Sequence, residues 1–486
     1  MKRLVQDSEL FRINASAYLT VYLTLSMTIM ISLCLALIEG VRSNAIRLET
    51  ECIMDIGLNS ILAEYHRELF RQYNLFAIDS SYGTSLPGRI NTEQHLKGYV
   101  ERNMSIENAK DFLMLEPCVV ELVGVSILTD DGGAAFRRQA VEVIKDDVEL
   151  TLLTQLADWM RVVEINHLAT DDIAMQKQNM DAKLKEYNGK KIQILENWTT
   201  IEIENPTREL EENRSKGTLA LVLEDTDKLS TSCLAQKTLI ASRMEQGKMN
   251  QGNMILPQLS GSEQLVEKFL FQEYLLKYMG YYGSEKEDAA LSYQAEYLIA
   301  GKDCDIDNLK SVVNRLTALR EAANALYIFS DKDKCAEADL VALAVCGLFQ
   351  IPELHDLLKG ALLLAWAYAE SLYDVQMLLQ GERVPLIKNK DSWHYDLEGA
   401  LSGFQRAEAV DCKVGLCYED YLRIMLTLTD VDTVTARAMN LIEADMRLTP
   451  GNAGFRMDGC YVRAEAFMKV KSAFGYTYEI TRQVRY

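Results

Sequence analysis

From Ile13 to Ile38 the chain carries no charged residue, and Arg12 and Glu39 bracket the run. These 26 positions exceed the roughly 20 that a helix needs to cross the hydrocarbon of a bilayer. The stretch is too long for the core of a signal peptide, and no A-x-A cleavage site follows it. It reads as an uncleaved anchor. The other strongly apolar stretches, Leu340–Phe349 and Gly360–Tyr368, are split by Pro352, Glu353, His355, Asp356 and Lys359. They read as a helix pair buried in a folded body, not as a second span.

Within the run, Ser16, Thr20, Thr24, Thr28, Ser32, Ala36 and Gly40 recur at a spacing of four. Steps of four trace one slowly turning ridge of a helix. Lipid supplies no hydrophobic drive between helices, so small residues that allow close approach mark contact faces. The competing reading is that the hydroxyls bond back to carbonyls of their own helix. Beyond the membrane, Leu58, Ile61, Leu62, Tyr65, Leu69 and Tyr73 keep a helical stripe. The expectation is one rod from Ile13 to Tyr73, about 90 Å long, with Gly40 and Gly57 as weak points.

The short basic head, Ala17-Tyr18-Leu19-Thr20-Val21-Tyr22-Leu23-Thr24-Leu25 and Leu37-Ile38-Glu39-Gly40-Val41-Arg42 resemble the TadE/TadG-like proteins of Tad-type (type IVc) pilus loci. They are still more similar to an uncharacterised clostridial family near that group. Glu39 and Arg42 match its Glu–x–x–Arg step past the membrane. Tyr297–Lys302 with Asn308-Leu309-Lys310, and Ala365–Ser371 with Val384-Pro385-Leu386, resemble the same family. The resemblance implies a pseudopilin-like, non-catalytic subunit that assembles or tips an envelope filament or secretion apparatus. Its partners would be the membrane and other transmembrane helices. Pilin-type processing needs a Gly or Ala before the span and a Glu early within it. Ala15 is available, but residues 16–38 contain no Glu, so an unprocessed anchor is expected.

The implied topology is a cytoplasmic head at 1–12, a single transmembrane helix at 13–38 and an extracytoplasmic body. The basic residues flanking the span favour this orientation slightly. The body reads as a helical stalk at 39–80, then an α+β module split into 81–148 and 401–486, with a helical insertion at 149–400. The fold class is thus α+β and mostly helical, with a small antiparallel pilin-like sheet. Cys118–Leu128 is β-branched and nearly apolar throughout, which marks a buried strand. Val462–Phe474 and Tyr476–Tyr486 alternate with period two on either side of Gly475, which marks a hairpin with one buried face. The hairpin is expected to pair with the 118–128 strand, and helices at 134–148 and 416–447 to cover the sheet. In the middle, Leu309, Val312, Val313, Leu316, Leu319, Ala323 and Leu326 form an apolar face with Arg315 and Arg320 off it. Asp172–Asn213 is polar enough for a protruding helical hairpin, and Arg214–Leu259 lacks periodicity, as a mobile stretch would.

Lys+Arg number 51 against 71 Asp+Glu, a formal charge of -20. Such a surface repels nucleic acid phosphates, so no nucleic acid partner is expected. His66, His95, His167, His355 and His394 form no zinc-type spacing, and neither a P-loop nor a G-x-S-x-G elbow occurs. No cofactor, small-molecule substrate or enzymatic activity is expected. Asp303-Cys304-Asp305-Ile306-Asp307 begins like a calcium loop, but Asn308 and Asn314 stand at its sixth and twelfth positions. Helix capping by Asp305 or Asp307 is the better reading, and no metal site is expected. Among ten Cys, Cys34 lies in the span, Cys52, Cys118 and Cys346 read as buried, and Cys412 with Cys417 is the candidate disulfide. Tyr274, Tyr278, Tyr281 and Tyr282 crowd together as a possible partner surface. They carry the alternative function, an anchored extracytoplasmic protein that recognises envelope glycan or a protein partner. A Tyr-rich core edge explains them equally well.

Overall fold

The computed structural model describes residues 2–83, 86–104, 115–148, 191–194, 197–200, 217–254, 261–346, 352–402 and 414–486, with scattered positions between 155 and 186. Helix α1 runs from Lys2 to Leu62, 61 residues or about 90 Å. Residues 18–41 are all exposed although most are apolar, and α1 is long and apolar enough to cross a membrane. Burial begins at Arg42 and follows one face through Ile46, Thr50, Ile53, Met54, Leu58 and Ile61. One helix therefore has two surroundings. Residues 18–41 offer apolar side chains outward, and the stretch from Arg42 to Leu62 tucks an apolar stripe under a sheet.

The rod does not continue to Tyr73. Ala63 and Glu64 turn the chain, and His66 caps the separate helix α2 (Arg67–Tyr73) by accepting a bond from Leu69 N at 3.1 Å. Leu69 and Tyr73 stay buried, so the stripe carries on across the break. The helix runs through Gly40 and Gly57. At Gly57 a Cβ would stand 3.2 Å from Leu96, so this position permits close packing of α3 (Arg89–Met104).

Strands β1 (Ile78–Asp79), β2 (Leu115–Ile127), β5 (Cys460–Ser472) and β6 (Thr477–Arg485) form an antiparallel sheet with β5 between β2 and β6. The hairpin pairs with the early strand as its alternation predicts, with Leu122 opposite Ala466 and Met468 opposite Ile480. Ala464, Ala466, Met468 and Val470 supply the buried face. The covering helices differ from expectation. Ile53, Met54, Leu58 and Ile61 of α1, with Leu96 and Val100 of α3, close this core. Helix α4 (Asp130–Ile144) and the 418–448 region join a second, larger core instead. β2 is not buried throughout either, because Glu116, Cys118, Glu121 and Val123 face outward. β6 lies along α1. Tyr478 Oη donates to Glu51 at 3.1 Å, Arg482 pairs with Glu51 at 3.1 Å, and Tyr486 Oη bonds Leu62 O.

The larger core is helical. Its elements are α5 (Thr218–Val222), α6 (Ile240–Glu245), α7 (Gly261–Tyr278), α8 (Gln294–Ala300), α9 (Asp305–Ser330), α10 (Lys332–Cys346), α11 (Pro352–Leu379), α12 (Leu397–Leu401), α13 (Tyr418–Leu428) and α14 (Val431–Leu448). Leu362–Ala369 of α11 are buried, and α9 and α10 pack on it. Gly381, at φ +92°, stops α11, with Glu382 N bonded to Met377 O. Leu340 and Leu343 of α10 are exposed rather than buried. Within the expected helical hairpin at 172–213, Lys191–Ile194 and Asn197–Thr200 form a two-stranded β3–β4 hairpin instead. The stretch read as mobile is pinned: Cys233 is disulfide-bonded to Cys304, and Arg243 pairs with Glu443 and Asp458. Cys346 is buried as read, but Cys52 and Cys118 are exposed. Cys412 lies outside the described residues, and Cys417 is a free thiol held by Asp420 at the start of α13.

Candidate functional site

The ridge residues Thr20, Thr24, Thr28, Ser32, Ala36 and Gly40 all lie on exposed parts of α1, while the side chain of Ser16 lies outside the described residues. Thr24 Oγ1 donates to Thr20 O at 2.9 Å, Thr28 to Leu25 O at 2.8 Å and Ser32 to Ile29 O at 2.8 Å. These hydroxyls are satisfied within their own helix, which removes most of the cost of holding them in lipid. What they leave outward is a shallow line of small groups. At the end of the exposed stretch Glu39 and Arg42 form an ion pair at 3.3 Å. The ring of Phe474, in the β5–β6 turn, lies 4.0 Å from Arg42 Cζ. The quadrupole of the ring and the carboxylate both stabilise the cation there.

Of the tyrosine cluster, Tyr274 is buried and Tyr278, Tyr281 and Tyr282 are half-buried. Tyr274 is fully buried and donates to Tyr73 O at 2.7 Å, and Tyr278 stacks against it with centroids 4.7 Å apart. Tyr281 and Tyr282 are half-buried. Tyr281 Oη donates to Glu419 at 3.1 Å, and Tyr282 N to Glu296 at 3.0 Å. Glu296 also accepts from Tyr418 Oη at 2.8 Å. Burial pushes the Glu296 carboxyl up to about 7, opposed by these donors.

Charged side chains in the body are internal ties. Arg320, expected off the apolar face of α9, is fully buried and pairs with Asp374 at 2.9 Å. Lys388 bridges Asp374 at 2.6 Å and Glu370. Glu370 also accepts from the backbone N–H groups of His394 and Tyr395, each at 2.9 Å. Two acids meet two bases, so the cluster is neutral. Burial raises the Asp374 carboxyl, but Lys388 and Arg320 outweigh it and hold the group below the usual range. A spacing of four between Glu370 and Asp374, just after the apolar run Gly360–Ala369 of α11, is the signal the sequence offers. Asp305 accepts from Ser230 Oγ at 2.6 Å, Ser292 N at 2.9 Å and Tyr293 N at 3.1 Å. It clamps loops beside the disulfide rather than capping α9 or holding a cation. Among the described residues no group of three or more His, Cys, Asp or Glu is placed to hold a metal ion.

One cleft of about 300 Å³ opens between Thr129–Gly132 and the 244–254 segment, with Met244, Met249 and Met254 on its wall. Asp130 is spent within it, accepting from Ile127 N at 2.7 Å, Gly252 N at 2.8 Å and Ser126 Oγ at 3.3 Å. Asp131, Gly132 and Gly133 all have positive φ. A Cβ on Gly133 would meet Thr435 at 2.6 Å, so only glycine allows the turn to seat on α14. Asn253 exchanges bonds with the backbone of Val125 and Val123, which covers that part of the β2 edge.

Residues 196–472, more than half of the chain, match the model of a family of unknown function (DUF5702). The chain belongs to that family. The DUF5702 segment holds the disulfide, the Arg320–Asp374–Lys388–Glu370 cluster, Glu296 and all of β5. Helix α1, β2 and β6 lie outside it. Neither the curated proteins nor the solved structures include a match to the chain.

Proposed function

We propose that this DUF5702 protein is a membrane-anchored, extracytoplasmic structural or assembly subunit of a Tad-like pilus or secretion apparatus, pseudopilin-like and non-catalytic. The observation that carries the reading is α1, whose outward apolar half continues without interruption into the half that closes the sheet core. A membrane helix that becomes the spine of a small antiparallel sheet is the layout of pilin-like modules. On this reading the helices between β2 and β5 are an insertion in such a module, and residues 149–400 make up most of it. The head faces the cytoplasm and the body lies outside. The Cys233–Cys304 bridge supports that orientation, because disulfides persist in oxidising compartments.

The ridge at Thr20, Thr24, Thr28, Ser32, Ala36 and Gly40 is the face offered to neighbouring transmembrane helices, and its back-bonded hydroxyls suit close van der Waals packing. The test is affinity purification from detergent-solubilised membranes of the native host, comparing wild type with Thr24→Leu/Thr28→Leu. Loss of a specific integral-membrane partner from the variant, with the thermal unfolding of its body unchanged, is the expected result. Identical membrane partners in both would remove the ridge from the account.

A further inference from the structure

The β5–β6 hairpin points back along α1 toward the span. Its contacts descend the helix in order: Tyr486 at Leu62, Arg482 near Asp55 and Glu51, Tyr478 at Glu51, and Phe474 at Arg42. Arg42 is also where the fully exposed stretch of α1 ends. Ile38, the last residue of the uncharged run, lies four residues earlier, about 6 Å along the axis. A bilayer has about 30 Å of hydrocarbon and 40–45 Å with its headgroup layers, so each layer is roughly 5–7 Å deep. The turn therefore sits at headgroup depth when Ile38 marks the edge of the hydrocarbon.

The residues at the turn match that depth. Ala473, Phe474 and Gly475 are exposed, and Phe474 keeps 43% of its surface open despite stacking on Arg42. Tyr476 follows, half-buried, and Lys471 precedes, exposed. Tyr rings concentrate at the membrane–water boundary, apolar Phe rings insert at the base of the headgroup layer, and Lys or Arg beside them reach lipid phosphates. Gly40 stands about 160° around the helix from Arg42, so a hairpin seated on Arg42 leaves that end of the ridge uncovered, and a Cβ on Gly40 would meet nothing within 4 Å.

We propose that the β5–β6 turn, Ser472–Tyr476, is a second membrane contact in which Phe474 enters the headgroup layer of the bilayer beside Arg42. The inference rests on the reading of α1 as a membrane helix, and the experiment separates the two. The full chain is reconstituted in nanodiscs of phosphatidylcholine and phosphatidylglycerol, with the photoreactive residue p-benzoylphenylalanine replacing Phe474, Leu25 or Arg485 in turn. Arg485 is exposed at the far end of β6, beside Leu62, about 30 Å further along α1. After irradiation, lipid adducts are quantified by intact-protein mass spectrometry. Adducts are expected at positions 25 and 474, at least fivefold above position 485. Labelling at 25 with 474 no higher than 485 overturns the hairpin contact and leaves the anchor standing. No labelling at 25 overturns the anchor and, with it, this proposal.

Discussion

Tyr73 Oη donates a hydrogen bond to the Asp445 carboxylate, and both groups are fully buried. The bond joins the short helix behind the stalk to α14 of the helical body. Asp445 also accepts from Ala290 N at 2.7 Å and Gln294 Nε2 at 2.8 Å, and Lys286 lies 3.6 Å away. Burial drives the Tyr73 hydroxyl well above its usual range, with the Asp445 charge adding to it, so the proton stays on the tyrosine. Tyr73→Phe keeps the ring and removes one bond to a buried charge, which costs about 2 kcal/mol. Urea unfolding of the detergent-solubilised full chain, followed by the emission of its tryptophans, should show a lower midpoint. An unchanged midpoint would mean that this junction carries little of the stability.

Glu296 sets a pH dependence of definite sign. Its carboxyl is raised to about 7 by burial, against an ordinary value near 4.5. The neutral form is favoured in the folded protein, so its contribution is complete below about 4.5 and is lost as pH rises through 7. The loss is on the order of 3 kcal/mol by pH 8. Glu296→Gln stays neutral while preserving an oxygen for Tyr418 and Tyr282. The variant should match wild type at pH 4 and unfold at a higher temperature at pH 8. Parallel pH profiles for the two proteins would show that Glu296 does not titrate this way.

The Cys233–Cys304 bridge closes a separation of 71 residues. Chain-entropy arguments put its contribution at about 4 kcal/mol. Cys233→Ser/Cys304→Ser should lower the urea midpoint and speed proteolysis within 217–254. Peptide mapping after thiol blocking should recover the two cysteines in one linked peptide from exported protein. Recovery of both as blocked thiols would argue against the bridge and against the orientation it supports.

The exposed apolar half of α1 and the hairpin were legible because each rests on one short-range pattern. A run without charge from Ile13 to Ile38 has few soluble interpretations, and alternation around Gly475 fixes which face of β5 is buried. The partners of those faces were less legible. An apolar stripe says that something covers it, not what, which is why α1 and α3 rather than α4 and the 418–448 helices close the sheet. The end of α1 at Leu62 had no Gly or Pro to announce it, and Leu69 and Tyr73 kept the helical spacing after the turn. Its charge places Arg320 off the apolar face of α9. Asp374 and the Leu386 carbonyl, 54 and 66 residues away, make its burial tolerable. Pairing of Cys233 with Cys304 is likewise a long-range fact that spacing does not encode.

That α1 is one unbroken helix from the exposed stretch into the sheet core has a mechanical consequence. No hinge separates the exposed apolar segment from the sheet, so tilting or twisting the one must swing the other as a lever does. Traction on the sheet would reach the bilayer without slack. On the proposed anchoring, whatever seizes the head or the apolar segment within the membrane also steers the sheet's bearing on the far side.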